Sequence, residues 1–215
     1  MLRHLFALSL VLLVLSHPLQ ADPSNGVLTA WLKRQTEIKT LETRFTQERK
    51  LPALKQPVST PGRLAFEKPG RVRWQLGEPA ATLVVVNGKE VMLVDYTAKT
   101  LRKVRGDSPQ ASRYSMLSGS GFQSPEEFES MFEITAHRVE SGIHQFTLKP
   151  KERKMRAQVP WVFLDIDPTT HELRAMEMEL KDKSRIRTIF HDPKINTKLS
   201  PDLFTVDPTG LKVKG

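Results

Sequence analysis

The chain has 215 residues, no cysteine, and 33 Lys and Arg against 24 Asp and Glu, a net charge of +9. Without cysteine there is no disulfide framework, no thiolate metal centre and no lipid attachment through an N-terminal Cys. The positive excess favours anionic partners such as lipid headgroups or acidic protein surfaces, or is simply a solvated basic surface.

Residues 1–21 carry the pattern of a secretory signal peptide. Arg3 and His4 form a short basic start, Leu5 to Leu15 an apolar core, and Leu19-Gln20-Ala21 a cleavage site. The apolar run is shorter than the roughly 20 residues a membrane span needs. A mature chain from Asp22 holds roughly 190 residues, enough for one domain stabilised by its core alone. Export makes nucleic acid an unsuitable partner.

Ser24 to about Arg44 reads as an amphipathic helix capped by Ser24. Val27, Leu28, Trp31, Leu32, Ile38, Leu41 and Phe45 recur at three- and four-residue spacing, with Lys33, Arg34, Glu37 and Lys39 opposite. A strand should begin near Phe45, and Gln56 to Pro61 is a loop. Gly62 to Tyr96 then reads as four antiparallel strands. Leu64 and Phe66, and Val72, Trp74 and Leu76, alternate with polar residues, the period of a sheet with one wet face. Lys68-Pro69-Gly70-Arg71 fits a type II turn, and Asn87-Gly88 marks a hairpin. Leu101 to Arg105 supplies a further strand.

Gly106 to Phe132 has another character. It contains Ser118-Gly119-Ser120-Gly121, which lacks the glycines of a nucleophile elbow or dinucleotide loop and reads as a hinge. In SPEEFESMF, Ser124 caps, Pro125 takes the first helical position and Glu127 closes a capping box. Short helices carrying Met116, Leu117, Phe128, Met131 and Phe132 should lie across the sheet. Strands then resume: 134–140 and 143–149 around the Ser141-Gly142 turn, 161–167 and 173–181 around Pro168-Thr169-Thr170, and 186–191. The total is about eleven, joined by the short connections of antiparallel sheets. The tail adds a turn at Ser200-Pro201 and an extended end. The fold class is mainly β with α.

Few residues suggest chemistry. His137 and His144 should be diagonal neighbours on one face with Val139, Phe146 and Leu148, but a metal would need a third ligand. Asp165 and Asp167 point the same way from one strand, a conceivable acid–base pair, although their place beside a turn favours solvated acids. No nucleophile, base and orienting group can be assembled, so neither enzyme activity, metal nor cofactor is expected. Lys149 to Arg156, KPKERKMR, is either a solvated loop or a docking patch for an anionic membrane or acidic partner.

Several pieces in order resemble the LolA family, the periplasmic carriers of outer-membrane lipoproteins. They are RFTQ (Arg44 to Gln47), the G-x-L-x-F-x-K-P-x-x-x-x-W run from Gly62 to Trp74, Glu78-Pro79, LVVVNGKEV (Leu83 to Val91), FTLKPK (Phe146 to Lys151) and the closing LFTV before P-x-G. The resemblance implies an incomplete antiparallel barrel of about eleven strands, with helices covering an apolar concave face. It implies a monomeric periplasmic carrier of acylated lipoproteins, moving between an inner-membrane lipoprotein-releasing transporter and an outer-membrane receptor. A carrier of another lipid on the same fold is the alternative. Leu64, Phe66, Trp74, Met92, Phe146, Leu148, Met176 and Met178 are candidates for the acyl-chain cavity. Met is suited to adaptable apolar walls, though these could equally be ordinary core. Met116, Leu117, Phe128, Met131 and Phe132 are lid candidates. The family's cation before the Pro of the K/R-P pair latches the lid, and here it is Lys68, a point charge without the planar fork of Arg.

Overall fold

The computed structural model describes residues 23–88, 90–105 and 124–214. The signal peptide, the Gly119–Gly121 hinge and the lid candidates Met116 and Leu117 lie outside them.

Helix α1 (Pro23–Glu37) leads into β1 (Thr40–Lys50), β2 (Val58–Glu67), β3 (Arg71–Leu76), β4 (Thr82–Asn87), β5 (Glu90–Asp95) and β6 (Thr100–Arg105). Helix α2 (Pro125–Met131) precedes the hairpin β7 (Phe132–Glu140) and β8 (Ile143–Pro150). A one-turn helix α3 (Arg153–Arg156) then leads to β9 (Trp161–Ile166), β10 (Leu173–Glu179) and β11 (Arg185–Ile195). A 3-10 turn (Pro201–Phe204) and β12 (Lys212–Lys214) finish the chain. All twelve strands form one sheet, ordered β12-β6-β5-β4-β3-β2-β1-β11-β10-β9-β8-β7. Eleven pair antiparallel, matching the expected count, with β1 and β11 joining the two runs of hairpins, and β12 adds a parallel edge along β6. β12 and β7 stand at opposite ends, so the sheet is unclosed, an incomplete barrel.

The helix ends earlier than its spacing suggests. Leu41 and Phe45 lie in β1, paired with Phe66 and Gly62 of β2. Residues four apart share a face in a helix and in a strand alike, so these two could not discriminate. Thr40, Thr43 and Thr46 favour the strand. Helix α1 already includes Pro23, so Ser24 lies within its first turn instead of capping it.

Opposed residues in an antiparallel ladder point to one face, so the register divides the sheet. On the inner face, which α1 covers, one row runs His137, Phe146, Leu164, Met176, Thr188, Gln47, Thr60. Around it sit two apolar clusters. Phe146, Leu148, Val162, Leu164, Ile166 and Met176 pack with Leu28, Trp31 and Leu32 of α1 and with Phe128 and Phe132. Phe45, Leu64, Phe66, Val72, Trp74, Val84, Val86 and Val91 form the second. Phe190 packs against both.

The outer face differs between the halves. Over β2–β6, Ala65, Leu83, Val85, Met92, Val94 and Leu101 are buried by Phe204 and the C-terminal segment. Burial on both faces explains the unbroken apolar runs LVVV and VMLV. Over β9–β11 the outer face is an ion-pair ladder. Arg187 bonds Asp165, and Arg185 reaches Glu177 at 2.9 Å and Glu179 at 2.8 Å.

Turn details refine the expectations. The Gly70 N–H donates to Glu67 O (3.1 Å), so that bend is Glu67–Gly70, one residue earlier than read, with a cis Lys68–Pro69 peptide. Asn87 pairs with Glu90 and closes the β4–β5 ladder, so the bend begins at Gly88. Ser141 and Gly142 (φ 51° and 80°) form the two-residue turn expected between Glu140 and Ile143.

Candidate functional site

The inner face of β8–β10 is roofed by two helices. The α1 spacing puts Leu28, Trp31 and Leu32 on one stripe, all buried. Helix α2 starts as its sequence directs: the Ser124 hydroxyl accepts from the Glu127 N–H at 3.1 Å, and Pro125 opens the first turn. Its Phe128 is fully buried and meets Trp31 edge to face, with centroids 5.9 Å apart at 79°, and Phe132 at 5.6 Å. Such ring contacts add about 0.5–1.5 kcal/mol beyond area burial.

Between roof and strands lies a hollow of about 470 Å³ of free space, its open mouth included. Trp31 of α1 lines it from above, and Phe132, Leu148, Val162, Leu164, Leu173, Met176 and Met178 from the sheet. Met155 of α3 and Val159 just after it close one side. No ionisable side chain lines it. An apolar lining offers an alkyl chain burial without polar cost, and three thioethers let the wall adapt. A second hollow of about 440 Å³ lies beside the end of α1. It is lined by Arg34, His171 and Glu172 as well as by Ile38, Leu41 and Phe190, and Arg34 pairs with Glu172 at 3.3 Å. Its mixed rim suits an alkyl chain less.

The eight cavity candidates therefore separate. Leu148, Met176 and Met178 line the apolar hollow, and Phe146 packs in the cluster around it. Leu64, Phe66 and Trp74 lie on the same face in the other half, at 1%, 5% and 5% exposure, where Trp74 stacks on Phe45 at 4.3 Å. Met92 is a correction: the pairing Val85–Met92 turns it outward, beneath the C-terminal segment. Of the lid candidates, Phe128 and Met131 are in α2, and Phe132 is the first residue of β7.

Lys68 holds α1. Its Nζ donates to the carbonyls of Thr36 (2.9 Å) and Gln35 (3.3 Å), where the helix leaves acceptors unsatisfied and its dipole favours a cation. Asn196 completes that end, donating to Glu37 O (3.2 Å) and accepting from the Lys39 N–H (2.7 Å). Among the described residues Lys68 thus engages the last turn of α1, and residues 106–123 of the expected lid lie outside them.

The remaining polar candidates are structural. His137 Nε2 and His144 Nδ1 lie 3.1 Å apart, both rings beside Phe146, and burial, then the neighbouring His137, holds His144 below its ordinary pKa. No group of three potential metal ligands gathers among the described residues. Asp165 is bonded by Gln145 and Arg187. Asp167 accepts from Arg174 (2.8 Å) and from the Thr170 and Thr169 N–H groups, which pull its carboxyl to a pKa of about 2. Neither is poised for acid–base work. In the basic run, Lys151 and Arg156 bind backbone carbonyls of Glu129 and Pro150. Met155 was missed as a wall residue; its one signal was being apolar among cations.

Residues 36–207 match the family described as outer membrane lipoprotein carrier protein LolA. The outer-membrane lipoprotein carrier protein of Azotobacter vinelandii is 36% identical over 152 residues, 68% of this chain and 67% of the relative. That of Chromobacterium violaceum is 26% identical over 192 residues, 87% of each. The crystal structure of an uncharacterized conserved protein from Thermus thermophilus shares the fold, with a TM-score of 0.51 at 10% identity over 90% of this chain and 99% of that one. Among the described residues no helix is long and apolar enough to cross a membrane. The chain belongs to the LolA family of outer-membrane lipoprotein carrier proteins.

Proposed function

We propose that this protein binds the acyl chains of lipoproteins in the hollow between β8–β10 and helices α1 and α2. In this reading it carries them through the periplasm from an inner-membrane releasing transporter to an outer-membrane receptor, acting as a monomer and without catalysis. An acyl chain of about 16 carbons, at about 0.8 kcal/mol per buried CH₂, resists water by about 12 kcal/mol. Unaided crossing of an aqueous space is therefore negligible, and a carrier must offer an apolar enclosure that still releases its load.

The observation that supports this most is the wholly apolar hollow, walled by Met155, Met176 and Met178 and roofed by Trp31. Its position gives a test. A lipopeptide with brominated acyl chains should quench the fluorescence of the wild-type protein, and Trp31→Phe should remove most of that quenching, because Trp74 sits in the packed second cluster and Trp161, paired with Glu179, faces the outer side of the sheet. Absence of quenching at saturating lipopeptide would overturn the reading. Quenching by brominated free lipid but not by lipopeptide would favour the alternative cargo.

A further inference from the structure

The inner face carries a buried polar side chain beside the hollow's wall. Thr188, in β11, is 1% exposed, and its hydroxyl has no hydrogen-bond partner among the described residues. A buried hydroxyl left unpaired destabilises a fold, so its presence calls for a reason. Thr188 pairs across the ladder with Met176 on one side and Gln47 on the other, and Gln47 pairs in turn with Thr60. All four side chains therefore point to the inner face. Gln47 is half-buried, and its carboxamide makes no hydrogen bond among the described residues. Three polar side chains on consecutive strands thus continue the row from Met176, with Thr188 one strand spacing of about 4.8 Å away and Gln47 and Thr60 two and three spacings away. Phe45 and Phe190 bound them in the next paired row.

We propose that Thr188 and Gln47, with Thr60 beside them, form a subsite for the carbonyl that joins an acyl chain to its protein. This rests on the carrier reading above. Every acyl chain ends in a carbonyl, as ester or amide, and that oxygen loses its water when the chain enters an apolar enclosure. The Thr188 hydroxyl is a buried donor with no partner among the described residues, and the half-buried Gln47 Nε2 is a second donor on the ladder row that continues from Met176. The strip fixes how far a chain enters, and it selects acyl over alkyl cargo, since a site built to hydrogen-bond rejects a ligand lacking the partner.

The test uses the mature protein and two synthetic lipopeptides of equal chain length, one carrying two palmitoyl esters and one carrying two hexadecyl ethers, whose oxygens are much poorer acceptors. The wild type should bind the ester about tenfold more tightly. Thr188→Val and Gln47→Leu should each weaken ester binding by about fivefold and leave ether binding within about twofold. Thr188→Val removes only the unpartnered hydroxyl, so the ligand-free variant should melt no lower than the wild type, which separates a lost contact from a lost fold. Equal binding of both lipopeptides, with variants indistinguishable from wild type, would overturn the subsite and leave the carrier reading intact. Failure of the wild type to bind either lipopeptide would overturn both.

Discussion

Replacing Lys68 by Met keeps the aliphatic stem and removes only the ammonium that holds the last turn of α1. Two bonds are lost, at 2.9 Å to Thr36 O and 3.3 Å to Gln35 O. A cation at a helix C-terminus contributes about 0.3–1 kcal/mol when exposed and up to about 2 when partly buried. Lys68 is half-buried, so about 1 kcal/mol is expected, roughly a fivefold rise in local opening. Asn196 still binds Glu37 and Lys39, so the helix should loosen at its end without detaching. Amide hydrogen exchange is the assay: amides of residues 32–38 should exchange about fivefold faster in Lys68→Met, with β3 and β4 unchanged. Unchanged exchange at 32–38, or equal acceleration throughout the sheet, would refute a local clamp.

Other consequences concern stability. The Asp167 carboxyl, at a pKa of about 2 against an ordinary 3.8, stabilises the fold above pH 4, and this contribution fades as pH falls from about 4 to 2. Asp167→Asn should cost about 1 kcal/mol at pH 7, discounted because Arg174 is largely solvated, and almost nothing at pH 2; a parallel loss at both pH values would contradict this. Gly62 lies under the Phe45 ring, and an added Cβ would overlap that ring and sit 2.6 Å from the Gln75 carbonyl oxygen. Gly62→Ala should cost about 1–3 kcal/mol, a melting shift of about 3–10 °C in a domain of this size; an unchanged melting temperature would show that the ring moves freely.

Much of the fold was legible because its turns are marked. Ser141-Gly142 placed His137 and His144 as diagonal neighbours, and the capping signal at Ser124 located α2 to the residue. What failed did so for physical reasons. Leu41 and Phe45, four apart, satisfy helix and strand equally. Met92 sits in a run buried on both faces, where alternation vanishes and parity cannot be read, so it was placed on the wrong side. Met176 and Met178 alternate with Glu177 and Glu179 above an ion-pair ladder, so their facing was plain. Thr188 and Gln47 look like ordinary strand residues; only the cross-strand register reveals two unbonded polar groups side by side.

The methionines provide the most direct test of where cargo sits. Met155, Met176 and Met178 line the hollow, whereas Met92 lies on the opposite face of the sheet. With 13C-labelled methyl groups, titration with an acylated lipopeptide should shift the resonances of Met155, Met176 and Met178 and leave that of Met92 in place. Shifts confined to Met92, or none at any of the four at saturation, would contradict carriage of acyl chains in this hollow.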